Sequence, residues 1–229
     1  MLGVFADRGG DPARPGKKHP LDCLVWMAQR PGEPAWKSPF GPGRPGWHVE
    51  CSAIALIELG ENFDVQGGGR DLEFPHHEMS AAEAQAGFAG LTFAQNYMHT
   101  GMVGYDGEKM SKSKGNLVFV SKLLEEGADP MALRIALLGH HYRTDWEWQP
   151  DEIGRADARL KMWREALPSA SENAADQIRT AVRNSLADDL NAPAALSAID
   201  HWAAGWHNGD GKGSEQIREV LDARLGVRL

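Results

Sequence analysis

Six residues at 109–114 concentrate positive charge: Lys109, Lys112 and Lys114 alternate with Met110, Ser111 and Ser113, and Gly115 and Asn116 follow. Ammonium groups on flexible stems can reach several phosphate oxygens. In a water-poor site such a clamp stabilises charge that builds on a reacting phosphoryl group. The same string also suits an exposed basic turn. A second group is Gly67–Gly68–Gly69 with Arg70 and Asp71 behind it. Glycines let backbone approach a ligand and offer N–H donors, and a carboxylate nearby can accept from ribose hydroxyls. The string is not the dinucleotide fingerprint, and a tight strand-to-helix turn is the plain alternative. Cys51 and His76 form a third group. Thiolate and imidazole are zinc ligands, yet at this separation they make no local signature. On pattern alone a small buried cysteine and a helix-start histidine account for them better. Ser80 follows His76 by one helical turn. Trp47, held by the turn GRPG, lies one turn before Cys51, with core packing as the plain alternative, and Cys23 in its apolar run reads as core.

These residues need elements to hold them. Residues 1–46 are rich in Gly and Pro and leave room for one short core element near Leu21–Met27. Residues 50–59 read as a mostly apolar helix stopped by Gly60. Phe63–Gly69 reads as a short strand, Phe63 and Val65 alternating with Asp64 and Gln66, that enters a glycine loop. A helix is expected over 76–87 after Pro75, and a second strand over Gln95–Val103. Strand, glycine loop, helix and strand are the rhythm of an α/β sheet. Residues 120–139 read as two helices broken at Gly127–Pro130. Beyond Asp151, Ile153, Ala156, Leu160, Trp163 and Leu167 keep the spacing of one helical face. Further helices are expected over about 174–188 and over 192–206, the latter capped at Asn191, with a last one after the loop 209–213. The expected organisation is an α/β part over 1–150 and a small helical bundle over 151–229.

Composition bounds the function. The 229 residues are 42% hydrophobic and 24% charged, the ordinary composition of a soluble globular chain. No apolar run approaches the ~18 residues of a membrane span, and the start MLGVFADRGG lacks the features of a signal peptide. Two cysteines exclude a disulfide scaffold, so a reducing cytoplasm is expected. The net charge of −8 argues against a large nucleic-acid footprint. Within 51–150, seven basic residues face fourteen acidic ones, and three of the seven sit at 109–114. One lysine loop in an acidic segment points to a local anion site.

GRPGWHVECSA, FDVQGGGRDLEFPHHE, YMHTGMVGYDGEKMSKSKGN and HYRTDWEW occur here in one order. Together they resemble the cysteinyl-tRNA synthetase branch of the class I synthetase superfamily over roughly residues 20–150. Within that branch the chain more closely resembles the cysteine:glucosaminyl-inositol ligases of mycothiol biosynthesis. DRGGDP at 7–12 is similar to the ERGGDP of those ligases, with Asp7 in place of glutamate. Ser80 stands where the tRNA enzymes commonly carry a fourth zinc ligand, a glutamate. No room for an anticodon-binding domain is expected after Leu229.

The resemblance implies the C-terminal half of a Rossmann-like class I catalytic domain, followed by the bundle. The half that carries the HIGH-type motif and the first zinc cysteine is expected to be absent. The implied reaction is ATP-dependent ligation of L-cysteine to glucosaminyl-inositol through a cysteinyl-adenylate. It implies one zinc ion per intact subunit and Mg2+ with the ATP, no tRNA and no membrane, with the missing half as a candidate partner. By position it implies Cys51 and His76 as zinc ligands and Trp47 as the wall of the cysteine pocket. Gly69, Arg70 and Asp71 would contact the adenylate and Val103 the adenine. Lys109 and Lys112 would stabilise the phosphates, with Lys112 in direct contact. Two other readings stand beside it: a fragment of a cysteinyl-tRNA synthetase, and a non-catalytic module that needs a partner half.

Overall fold

The computed structural model describes residues 1–205 and 209–229, with the side chains of Lys109 and Ser113 outside the description. Two compact units divide between Thr100 and Gly101.

In the first unit a short helix α1 (Leu2–Asp7) precedes a long irregular segment. The core element expected near Leu21–Met27 is corrected to a short strand β1 (Trp26–Ala28), none of whose residues is buried, antiparallel to β2 (Gly43–Pro45). Helix α2 (Trp47–Leu59) starts after the extended Gly46 and stops at Gly60, whose φ of 80° favours glycine. Its apolar content is not buried: Ile54, Ile57 and Leu59 are exposed, and Ser52 is its buried residue. The reason is that it packs on one element, α3 (Glu78–Gly87), and only Ala55 and Leu56 join the core there.

Strand β3 (Phe63–Gly69) pairs in parallel with β4 (Ala94–Thr100), from Phe63 opposite Ala94 to Gly69 opposite Thr100. A parallel pair needs a crossover, and residues 70–93 with α3 supply it. Phe63 and Phe93 meet edge-to-face at 4.9 Å in a core with Ala81, Ala84, Leu91 and Ala94. Two expectations are corrected here. The three glycines belong to the strand ladder rather than to a loop, and the strand expected over Gln95–Val103 ends at Thr100.

In the second unit β5 (Val103–Tyr105) pairs antiparallel with β6 (Glu108–Lys109) and parallel with β7 (Trp146–Glu147). Asp106 and Gly107, both at positive φ, make the two-residue turn between β5 and β6. Helices α4 (Val120–Glu125) and α5 (Pro130–Leu138) flank the expected break, and Asp129 caps α5 through the Met131 N–H.

Helices α6 (Glu152–Ala166), α7 (Glu172–Ala187), α8 (Ala192–Ala204) and α9 (Ser214–Leu225) form the bundle. Ser171 and Asn191 cap α7 and α8. Leu160, Trp163, Val182, Leu196, Ile199 and Leu221 fill the core, to which α5 adds Ala132, Ile135 and Ala136. The indole of Trp163 donates to Asp200 at 2.8 Å, so this buried ring keeps its hydrogen bond. The end of α8 expected at 206 lies outside the described residues. No helix among the described residues is long and apolar enough to cross a membrane.

Candidate active site

The first unit gathers histidines around the start of α2. Trp47 and His48 begin that helix, and Cys51 lies one turn further on, four and three residues after them. The turn Glu73–His77, which leads into α3, brings His76 against them. The Trp47 ring stacks on the His76 imidazole at 4.3 Å between centroids while remaining 58% exposed. His48 and His76 share a proton between their Nδ1 atoms at 2.9 Å. One ring must donate and the other accept, so the pair holds both in place without a net charge. Burial, and then the neighbouring His76, depress the His48 pKa to about 4, and burial also lowers that of His76. Both rings are therefore neutral near pH 7.

Two serines lock the helices that carry this cluster. Ser80 is 2% exposed, and its hydroxyl donates to the His76 carbonyl at 2.7 Å. The Ser52 hydroxyl is shared between the carbonyls of Ser80 and His48, at 2.8 and 2.9 Å. Ser80 thus spends its proton on backbone, a structural role.

A second imidazole pair backs the first. His77 Nδ1 lies 2.8 Å from His99 Nε2, and burial, His99 and His76 together push the His77 pKa down to about 4. A side chain at Gly68 would collide with this ring, which explains a glycine inside a strand at that position. Gly69 ends β3, and Arg70 and Asp71 form the single helical turn that follows it. The guanidinium of Arg8 donates to the Phe74 carbonyl and, at 3.5 Å, to the Arg70 carbonyl. It ties the N-terminal segment to this turn.

The donors fit zinc in kind but not in number. His76 is neutral, as a ligand must be, and the Cys51 thiol is held protonated by burial and by Glu50. Among the described residues no three His, Cys, Asp or Glu side chains are arranged to hold a metal ion. Cys51 and His76 are two donors where a catalytic zinc takes about three from protein. Cys23 is half-buried rather than core; burial, and then Glu83, push its thiol up to about 11.

The second unit holds the lysine loop. Val103 begins β5, and Lys109 ends β6 opposite Gly104. Lys112–Lys114 form one tight helical turn closed by the left-handed Gly115. Asn116 braces the loop: its Oδ1 accepts from the Ser111 N–H at 2.9 Å and its Nδ2 donates to the Tyr105 carbonyl at 3.5 Å. Lys114 pairs with Glu108 at 2.7 Å. Lys112 is exposed and has no side-chain partner among the described residues. The side chain of Lys109 lies outside the description.

The structure thus brings Trp47 and His76 into contact, with Cys51 on the same helix face, and continues Gly69 into Arg70 and Asp71. It sets Val103 and Lys112 around one hairpin of the other unit. Sequence reasoning missed His48, His77 and His99. His48 was findable from its spacing of three before Cys51, whereas the His77–His99 contact has no local signal.

Residues 6–158 match the family described as the tRNA synthetases class I (C) catalytic domain, and the chain belongs to that family. It is 59% identical over 233 residues to the L-cysteine:1D-myo-inositol 2-amino-2-deoxy-alpha-D-glucopyranoside ligase of Thermomonospora curvata, and 58% identical over 231 residues to that of Thermobispora bispora. Each alignment covers 100% of this chain and 56% of the relative, so the chain spans little more than half the length of either. Among solved structures it is similar to the LeuRS of Agrobacterium radiobacter K84, in a ternary complex with tRNA and LeuAMS. The TM-score is 0.59 at 18% identity, over 88% of this chain and 34% of the other, a likeness of fold alone.

Proposed function

We propose that this chain forms part of an ATP-dependent ligase that joins L-cysteine to the amino group of a glucosaminyl-inositol. The observation that carries the reading is the identity of 58–59% across the whole chain to ligases named for those two substrates. The class I synthetase family adds the chemistry of carboxylate activation by ATP.

In the first step a carboxylate oxygen of cysteine attacks the α-phosphorus of ATP, and the bond to pyrophosphate breaks. In the second, the acceptor amine attacks the acyl carbon, the bond to AMP breaks, and the nitrogen loses a proton to water. Trp47 walls the cysteine pocket, with the neutral His48–His76 pair behind it. Gly69, Arg70 and Asp71 meet the adenylate, Asp71 facing the ribose, and Val103 offers backbone to adenine. Lys109 and Lys112 offset negative charge on the phosphates, Mg2+ accompanying ATP. A zinc ion with Cys51 and His76 among its ligands would supply a thiophilic position that distinguishes cysteine from serine. Residues 1–150 serve catalysis in this reading and 151–229 form the helical bundle.

The test uses the chain alone and the chain co-expressed with the remaining part of the T. curvata relative. Amide and AMP are expected from the pair when cysteine, ATP and glucosaminyl-inositol are supplied. The chain alone is expected to give neither, and to hold less than stoichiometric zinc. Charging of tRNA with cysteine, without amide, overturns the reading in favour of a tRNA synthetase, which the family's description keeps in view.

A further inference from the structure

The DRGGDP segment has no role in the reaction just described, yet it lines one side of an open cleft. The segment that follows α1 folds over the start of α2 and leaves a space of about 700 Å3 against Trp47 and His48. That volume lies in the range of about 300–1,000 Å3 found for small-molecule sites. Its frame is built closely. A Cβ at Gly10 would lie 2.4 Å from the Phe5 ring, and one at Gly46 would lie 1.7 Å from the Leu24 carbonyl oxygen. Arg8 fastens the segment to the turn that carries His76 through the Phe74 carbonyl.

The polar groups on its wall divide into those already engaged and those that are not. Arg8 serves backbone carbonyls, Arg44 pairs with Glu33 at 3.0 Å, and the Asp22 carboxylate accepts from the N–H groups of Lys18 and His19. Lys17 donates to the Pro20 carbonyl and lies over the Phe5 ring. Asp11 and Arg14 have no side-chain partner among the described residues, and both line the cavity. A carboxylate that accepts and a guanidinium that donates, on one wall, suit a ligand rich in hydroxyls. A polyanion would be met by cations without the carboxylates.

We infer that this cavity is the acceptor subsite, which takes the sugar–inositol moiety with Asp11 and Arg14 as its polar anchors. The assignment rests on the proposed ligase reaction for the identity of the acceptor. Trp47 and His48 are shared with the cysteine pocket, so an acceptor held here stands beside the group it must attack. Asp11 accepts from hydroxyls, and Arg14 donates to ring and hydroxyl oxygens.

Ligand-observed NMR titration of glucosaminyl-inositol into the 229-residue chain tests this. Saturable binding is expected, weakened about tenfold in Asp11→Asn and in Arg14→Gln, each removing a charged hydrogen-bond partner. Lys161→Gln, a change on the bundle, leaves binding unchanged. Circular dichroism checks that each variant is folded. No saturable binding at millimolar ligand, or unchanged binding in either anchor variant, overturns the subsite. Failure of the ligase reading is seen elsewhere: cysteine-dependent exchange of ATP with pyrophosphate, in the co-expressed protein, does not involve the sugar.

Discussion

Gly68 and His77 face each other so closely that a methyl group at residue 68 would lie 2.8 Å from the imidazole Cε1. The ring is also held by His99, whose Nε2 lies 2.8 Å from its Nδ1, so a shift away from residue 68 would disturb that contact. Gly68→Ala is therefore expected to cost about 1–3 kcal/mol by overpacking and to break the His77–His99 contact. Gly67→Ala is the control, because its nearest neighbour would be the Met98 carbonyl oxygen at 3.9 Å. Urea unfolding of the two variants checks the difference. Equal stability would mean that the imidazole pair is not fixed against β3.

The serine lock makes a second prediction. Ser52 is buried, and its hydroxyl serves the carbonyls of both His48 and Ser80. Ser52→Ala leaves the Ser80 carbonyl without that donor and is expected to destabilise the first unit by about 1–2 kcal/mol. Because the contact joins α2 to α3, the loss should also appear as faster amide exchange in both helices around residues 52 and 80.

What the sequence made legible follows from how local each signal was. Ala156, Leu160, Trp163 and Leu167 repeat on one face and are all buried, since a bundle core needs only helical spacing. Asn191 with Pro193 announced the start of α8, and the Asn191 side chain accepts from the Ala194 N–H. Gly67–Gly69 misled because glycine usually ends a strand. Here the ladder comes from β4, some thirty residues on, and the absence of a side chain at Gly68 is required by His77. The His48–His76 and His77–His99 contacts join residues 28 and 22 apart, so no window of sequence contains either. Val103 and the lysine loop were legible as a motif, while their hairpin depends on the positive φ of Asp106 and Gly107.

Glu83 predicts a pH dependence. Both its carboxyl oxygens are buried without a hydrogen-bond partner, and burial pushes its pKa from 4.5 to about 7. Below pH 4.5 folded and unfolded chains both hold the proton, and the group contributes no pH dependence. Between 4.5 and about 7 the unfolded chain has released it and the folded chain has not. The folded state then binds more protons, so stability falls as pH rises and levels off above about 7. Cys23, whose thiol feels the Glu83 charge, stays protonated throughout this window. Denaturant titrations at about pH 5 and pH 8 should show the fall in the natural chain. Glu83→Gln should flatten it and be the more stable of the two at the higher pH. An unchanged slope in the variant would assign the effect to another group.

The lysine loop holds one cation paired with protein and another with no side-chain partner among the described residues. Lys114 pairs with Glu108 at 2.7 Å on an exposed surface, a contact worth about 0–1 kcal/mol. Lys112, one helical turn within the same loop, has no side-chain partner among the described residues and is exposed. Its charge is thus available to an anion, and in the proposed reaction it would be needed most where negative charge accumulates during attack on the α-phosphorus. Lys112→Ala is expected to leave the fold intact and to leave cysteine binding within a few-fold. It should slow cysteine-dependent ATP–pyrophosphate exchange by about a hundredfold in the co-expressed protein, the usual effect of removing one contact to a developing charge. Lys114→Ala, which removes an equal charge two residues away, should slow exchange far less, because its partner is protein. Parallel exchange assays decide it. Similar losses in both variants would show that the loop acts as a diffuse positive patch, and the particular assignment to Lys112 would fall.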